Sequence, residues 1–274
     1  MGLSKREKEI SIKFRNSYYI APPGSATEIL SHPKNKYAGA IDLAIFQEHR
    51  YAFFYWLKWT RESERSEPPC MISLDWHQDL CFPDEVEKDW LSKLDQSNDG
   101  EVAAFSWAKL AGNNDGHILC AAYLNLIGDI YVHCRQEPFF DSWKDEELID
   151  IYGNKHIIKK FKTFDSLEQH MLTSKETQVY FDIDLDFFVL DSPLNNENKK
   201  KFSYMTKKQI HDILSINRPL IDWILERLSG FTIATEPKHC GGILKSNRFL
   251  SIISKLYFEP EIFAPNCDWK HKRS

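Results

Sequence analysis

Two short apolar runs end in clusters of acids, and this pairing constrains the fold more than any other feature of the chain. Cys70 to Leu74 leads into Asp75-Trp76-His77-Gln78-Asp79, and the strand-like run Gln178 to Asp184 continues through Leu185 to Asp186. Extended backbone sends residues i, i+2 and i+4 to one side. Asp75, His77 and Asp79 are therefore expected to converge, as are Asp182, Asp184 and Asp186. Several carboxylates buried together are strongly unfavourable unless positive charge sits among them. A divalent metal is the expected source of that charge.

The rest of the chain supplies strands alternating with helices. Ala40 to Phe46 reads as a buried strand, and an aromatic-rich helix runs from Glu48 to about Arg61. With Cys70 to Leu74 this suggests a βαβ unit with parallel pairing. Glu101 to Leu110 and His117 to Leu126 carry helical periodicity; Asp129 to Cys134 and Lys155 to Phe161 read as strands, and Asp165 to Leu172 as a short helix. Thr206 to Leu228 is helical but divided at Pro219, with Asn217 as N-cap of the second piece and Gly230 as its stop. Phe231 to Thr235 reads as a strand and Ile243 to Phe258 as an amphipathic helix. The predicted class is α/β, a three-layer α/β/α sandwich around a mostly parallel sheet, in which ligands collect outside the carboxyl ends of the strands. No repeat or long linker divides residues 1–274, which read as one domain with an irregular segment at about 1–35. Asp191 to Lys201, around Asn195, reads as an exposed polar insert.

Composition excludes other classes. A net charge of −5 argues against a nucleic-acid partner, and no apolar run approaches the ~20 residues of a membrane helix. The charged N-terminal stretch lacks a signal-peptide core, and the six scattered cysteines include no CxxC pair. The expectation is a cytoplasmic protein with reduced thiols and no membrane association.

Oxygen-rich ligands with one or two imidazoles suit Mn²⁺, and five or six such ligands are too many for one tetrahedral ion. Two ions sharing bridging carboxylates would use the whole set and generate a nucleophile at neutral pH.

These motifs resemble those of a known superfamily. DWHQD resembles the Asp-x-His-x-Asp motif of the arginases (ureohydrolases). YFDIDLD resembles their Ser-Phe-Asp-x-Asp motif, with Tyr180 in place of Ser, and Glu48-His49 is similar to their Asp-His step. A closer similarity, over roughly Ile41 to Gly242, is to a family of uncharacterised arginase relatives that includes the peptide arginases, which convert arginine to ornithine within ribosomally made peptides. The resemblance implies an arginase/deacetylase-like fold and two Mn²⁺ ions. His49 and Asp79 would bind one ion, His77 and Asp184 the other, and Asp75 and Asp182 would bridge them. Asp186 has no metal counterpart in the matched motif; it is assigned to the substrate side, as the partner of a ligand histidine or the cap of the next turn. Thr235-Glu236-Pro237 resembles the Thr-Glu step whose Glu pairs with the substrate guanidinium, a planar cation suited to a carboxylate.

The chain also departs from arginase. No His follows Asp79 at the expected short distance, so His117 is the first candidate for the proton donor to the leaving amine and His239 the second. The segment after Asp79 lacks the Asn and Ser/His pattern that grips free arginine, which favours an arginine-containing peptide as substrate. The rival readings are another ureohydrolase or amide hydrolase acting on a small amine, and a non-catalytic metal-binding protein. A two-metal phosphoesterase is excluded by motif order, since Gly112-Asn113 precedes Gly128-Asp129.

Overall fold

Twelve strands and eight helices are present among residues 20–34, 39–63, 67–110, 112–137, 143–194 and 200–270, which are those described by the computed structural model. β1 (Ala26–Ser31) is followed by β2 (Ala40–Phe46), a 3-10 turn at His49–Tyr51, α1 (Ala52–Glu62) and β3 (Cys70–Leu74). Three helices come next, α2 (Glu85–Lys93), α3 (Asp99–Ala108) and α4 (His117–Tyr123). β4 (Ile130–His133), β5 (Glu146–Ile149), β6 (Lys155–Phe161), α5 (Phe164–Met171) and β7 (Val179–Asp184) follow. The short strands β8 (Val189–Asp191) and β9 (Ser203–Tyr204) precede α6 (Lys207–Leu214), α7 (Pro219–Arg227), β10 (Leu228–Ala234) and α8 (Ile243–Tyr257). β11 (Phe258–Glu259) and β12 (Asp268–Trp269) complete the order.

Eight strands form one sheet in the order β1-β2-β10-β7-β3-β4-β6-β5. The six inner strands are mutually parallel, and β1 and β5 close the edges antiparallel. Alternate side chains feed two apolar clusters, one on each face, because successive residues of a strand point to opposite sides. Ile72, Leu74, Phe181, Ile183, Phe231 and Ile233 join one cluster, which α5 to α8 cover. Met71, Tyr180, Ala234 and Val132 join the other, which α1, α3 and α4 cover. The fold is thus mixed α/β, with a large, mostly parallel sheet flanked by helices.

Several sequence expectations are corrected. The segment read as irregular contains β1, an edge strand whose six residues pair with β2; residues 1–19 lie outside the described set. β2 and β3 are parallel but not neighbours, since β10 and β7 lie between them. α7 ends at Arg227, before Gly230, and Gly230 sits inside β10 because the Trp59 ring packs where a side chain would be. Arg218, not Asn217, is the N-cap of α7. α2 is a helix the apolar pattern does not announce, since only Leu91 of it is buried; its start is set by a capping box between Asp84 and Glu87. The polar insert leaves from β8, which pairs with β9, and Asn195 falls outside the described residues.

Candidate metal centre

Four neighbouring strands, β2, β10, β7 and β3, end side by side, and each leads into part of one polar site. His49 follows β2, Glu236 follows β10, Asp184 ends β7, and Asp75 follows β3. The pairing continues past the strand ends, where Thr235 N–H donates to Phe46 O at 2.8 Å and Glu236 N–H to Gln47 O at 3.0 Å.

The side chains do not converge by simple alternation along extended backbone. β3 stops at Leu74, and Asp75 Oδ1 accepts the His77 N–H at 2.7 Å. β7 stops at Asp184, whose Oδ1 accepts the Asp186 N–H at 3.0 Å. Both motifs therefore leave their strands through the same kind of Asx turn, in which a carboxylate caps the amide two residues on. Asp79, Asn114 and Glu236 adopt φ values of 51°, 60° and 34°. Left-handed backbone is uncommon outside glycine and costs about 1–3 kcal/mol, and such residues concentrate at functional sites.

Asp182 lies inside β7, with Ser73 and Thr232 opposite it on the flanking strands. The Ser73 hydroxyl donates to Asp182 Oδ2 at 2.8 Å and the Thr232 hydroxyl to Oδ1 at 2.6 Å. Asp182 Oδ2 is also 2.8 Å from His49 Nε2. A carboxylate placed there favours the proton on Nε2 and leaves the Nδ1 lone pair facing the opposite way. Nδ1 faces Asp79 Oδ2 at 2.8 Å and Asp75 Oδ2 and Asp184 Oδ2 at 3.4 Å each. Asp182 thus meets His49 on its Nε2 side, opposite the three carboxylates that face Nδ1. Ser73 and Thr232 went unread in the sequence, where the available signal was a hydroxyl amid two apolar strands.

A second group lies beside the first. His77 Nδ1 is 3.0 Å from Asp186 Oδ2 and 3.7 Å from Asp75 Oδ1, so Asp75 turns one oxygen to His49 and the other to His77. His77, Asp186 and His239 can point donor atoms within 4.8 Å of one another, as can His49, Asp75 and Asp184, and likewise His49, Asp79 and His117. Asp184, expected beside His77, is placed with His49. His239 joins His77 and Asp186, with its Nε2 3.8 Å from Glu236 Oε2.

Charge is poorly balanced by the protein alone. Burial and neighbouring carboxylates raise the protonation ranges of Asp79, Asp184 and Asp186 above the usual carboxylate range. Burial opposes ionisation of Asp75 too, but the neighbouring His49 and His77 imidazoles outweigh it and hold Asp75 below that range. Burial would keep His77 neutral, yet Asp186 and Asp75 push it up to about 12. His49 is raised despite burial, chiefly by Asp182.

The side chains fit divalent ions. Asp75 Oδ2, Asp186 Oδ2, His117 Nε2 and His239 Nδ1 are buried without a hydrogen-bond partner. Two donors held at right angles about 2.1 Å from a common ion lie ~3 Å apart, close without the alignment of a hydrogen bond. Asp186 Oδ2 and His77 Nδ1 meet in that way. Carboxylate oxygens and imidazoles without thiolate are a donor set able to hold divalent ions.

Above the cluster opens a cavity of about 380 Å³, whose lining includes His77, Asp79, Asp184, Asp186, Glu236 and His239. Glu236 does not cap the segment after it. Its Oε1 accepts the His49 N–H at 2.8 Å and Asn114 Nδ2–H at 2.9 Å. Burial pushes Glu236 up to about 7. His117, the first candidate for proton donor, is fully buried and absent from the described cavity lining; burial holds its protonation range well below the usual one.

No protein-family model matches the chain, and no curated protein matches it. Fold and site together define a mixed α/β protein with a buried His/Asp cluster able to bind metal ions. No helix among the described residues is long and apolar enough to cross a membrane.

Proposed function

We propose that the protein is a di-manganese hydrolase of arginase/deacetylase-like fold that converts peptidyl arginine to ornithine and releases urea. The observation that carries this reading is the position of Glu236. One of its oxygens is fixed by His49 and Asn114, and its side chain lines the same cavity as the His/Asp cluster.

Two divalent ions bound here would supply a water-derived nucleophile at neutral pH. His49, Asp79 and Asp184 would hold one ion and His77 and Asp186 the other, with Asp75 between them. Glu236 pairs with the guanidinium and orients its carbon toward the cluster; the cation in turn favours the ionised carboxylate. Water adds to that carbon, the bond from carbon to the side-chain Nε breaks, and Nε takes up a proton to become the ornithine amine. His239 replaces His117 as the donor of that proton, because it lines the cavity beside Glu236. A peptide-borne arginine fits better than the free amino acid, since no Lys or Arg among the described lining residues meets an α-carboxylate.

The test is incubation of manganese-loaded protein with an arginine-containing peptide and, separately, with free arginine. Urea release and ornithine within the peptide are expected. No product from either, with metal bound, would leave a metal-binding protein without this activity.

A further inference from the structure

His117 is packed as a fixed imidazole with one unused nitrogen. It opens α4, and its Nδ1 lies 3.1 Å from the carbonyl of Asn114. A carbonyl only accepts, so Nδ1 carries the proton and Nε2 keeps a lone pair. The ring stacks on Trp56 with centroids 5.7 Å apart and planes 24° apart, and its centroid lies 4.3 Å from that of His49. Fully buried against both rings, it has little freedom to turn. Nε2 is buried and has no hydrogen-bond partner, a costly state for a polar atom. Donor atoms of His117, His49 and Asp79 can lie within 4.8 Å of one another.

We propose that His117 is a ligand, through Nε2, of the inner divalent ion held by His49 and Asp79, and does not transfer protons in the reaction. This rests on the metal-centre reading above. The geometry of an acid/base residue is missing: His117 has no surface on the described cavity wall, and its second nitrogen is committed to a backbone carbonyl. The geometry of a ligand is present: the Asn114 carbonyl sets the tautomer, Nε2 is buried and unpartnered, and the residue offers a donor atom within 4.8 Å of those of His49 and Asp79. The Asn113–Gly116 segment then has a defined task. The carbonyl of Asn114 orients His117, while its side chain holds Glu236.

The experiment is a manganese titration of the full chain beside His117→Phe and His117→Gln, with pulsed electron paramagnetic resonance to follow imidazole nitrogens coupled to manganese. The phenylalanine preserves stacking on Trp56, and the glutamine preserves polarity. The wild-type protein is expected to bind two ions, and each variant to bind one of them about 10–100-fold more weakly, with weaker nitrogen coupling. Two ions bound with unchanged affinity and coupling, alongside lost turnover of an arginyl peptide, would overturn the assignment in favour of proton transfer. An anomalous-scattering map of manganese-loaded wild-type crystals decides the matter without variants. An ion bonded to His49 and Asp79 but out of bonding range of Nε2 refutes the proposal. A wild-type protein that takes up no divalent ion refutes the metal centre itself, and this inference with it.

Discussion

His49 Nε2 and Asp182 Oδ2 meet at 2.8 Å in a fully buried contact, and this contact turns the other nitrogen of His49 toward three carboxylates. Ser73 and Thr232 hold Asp182 from the two neighbouring strands, so the orientation of the imidazole is built into the sheet.

Asp182→Asn is therefore expected to leave manganese binding possible but about 10–100-fold weaker, as when the outer partner of a ligand histidine is lost. Calorimetric titration measures this. Unchanged affinity would remove the orienting role, and complete loss of one ion would restore Asp182 to a direct ligand.

Asp75 turns one oxygen toward His49 and the other toward His77. Asp75→Ala is expected to abolish uptake of both ions, read as metal content per chain after dialysis. A variant that still holds two ions per chain would end the bridging assignment.

Glu236→Gln keeps the shape of the side chain and removes its charge. Loss of a charge-assisted contact of about 1.5–3 kcal/mol corresponds to a fall of roughly 10–100-fold in kcat/KM for an arginyl peptide. Metal content should not change. Steady-state kinetics beside metal analysis check this, and a normal kcat/KM would exclude Glu236 from guanidinium recognition.

Gly230 tests the packing beneath the site. A Cβ there would lie 2.6 Å from Trp59 Cε3 and 3.1 Å from Tyr180 Cδ1. Gly230→Ala should destabilise the protein by about 1–3 kcal/mol through overpacking. Urea unfolding measures it, and a midpoint equal to wild type would show that Trp59 yields without cost.

Much of the architecture was legible in local pattern. Ala40–Phe46 and Cys70–Leu74 are strands with the boundaries their apolar runs suggest, Lys155–Phe161 is the strand its sequence suggests, and Pro219 does open a helix. The failures have local causes as well. α2 buries little, so hydrophobic periodicity is a weak guide to it, whereas Asp84-Glu85-Val86-Glu87 does carry the capping signal. β1 is an edge strand with only Leu30 fully buried, which leaves little alternation to read.

Residue order alone made the available chemistry legible: acids and imidazoles directly after apolar strands, a composition whose burial requires compensating positive charge. It could not determine which of them meet. His49 and Asp182 are 133 residues apart, and they touch because β10 and β7 pack between β2 and β3. Strand order arises from crossover connections and the burial of two apolar faces, which leave no trace in local periodicity. The positions of Asp182, Asp186, His117 and His239 turned on that order, and on turns that begin where the sheet hydrogen bonding stops. Residue type set what the site can bind; the sheet set which atoms of these residues face one another.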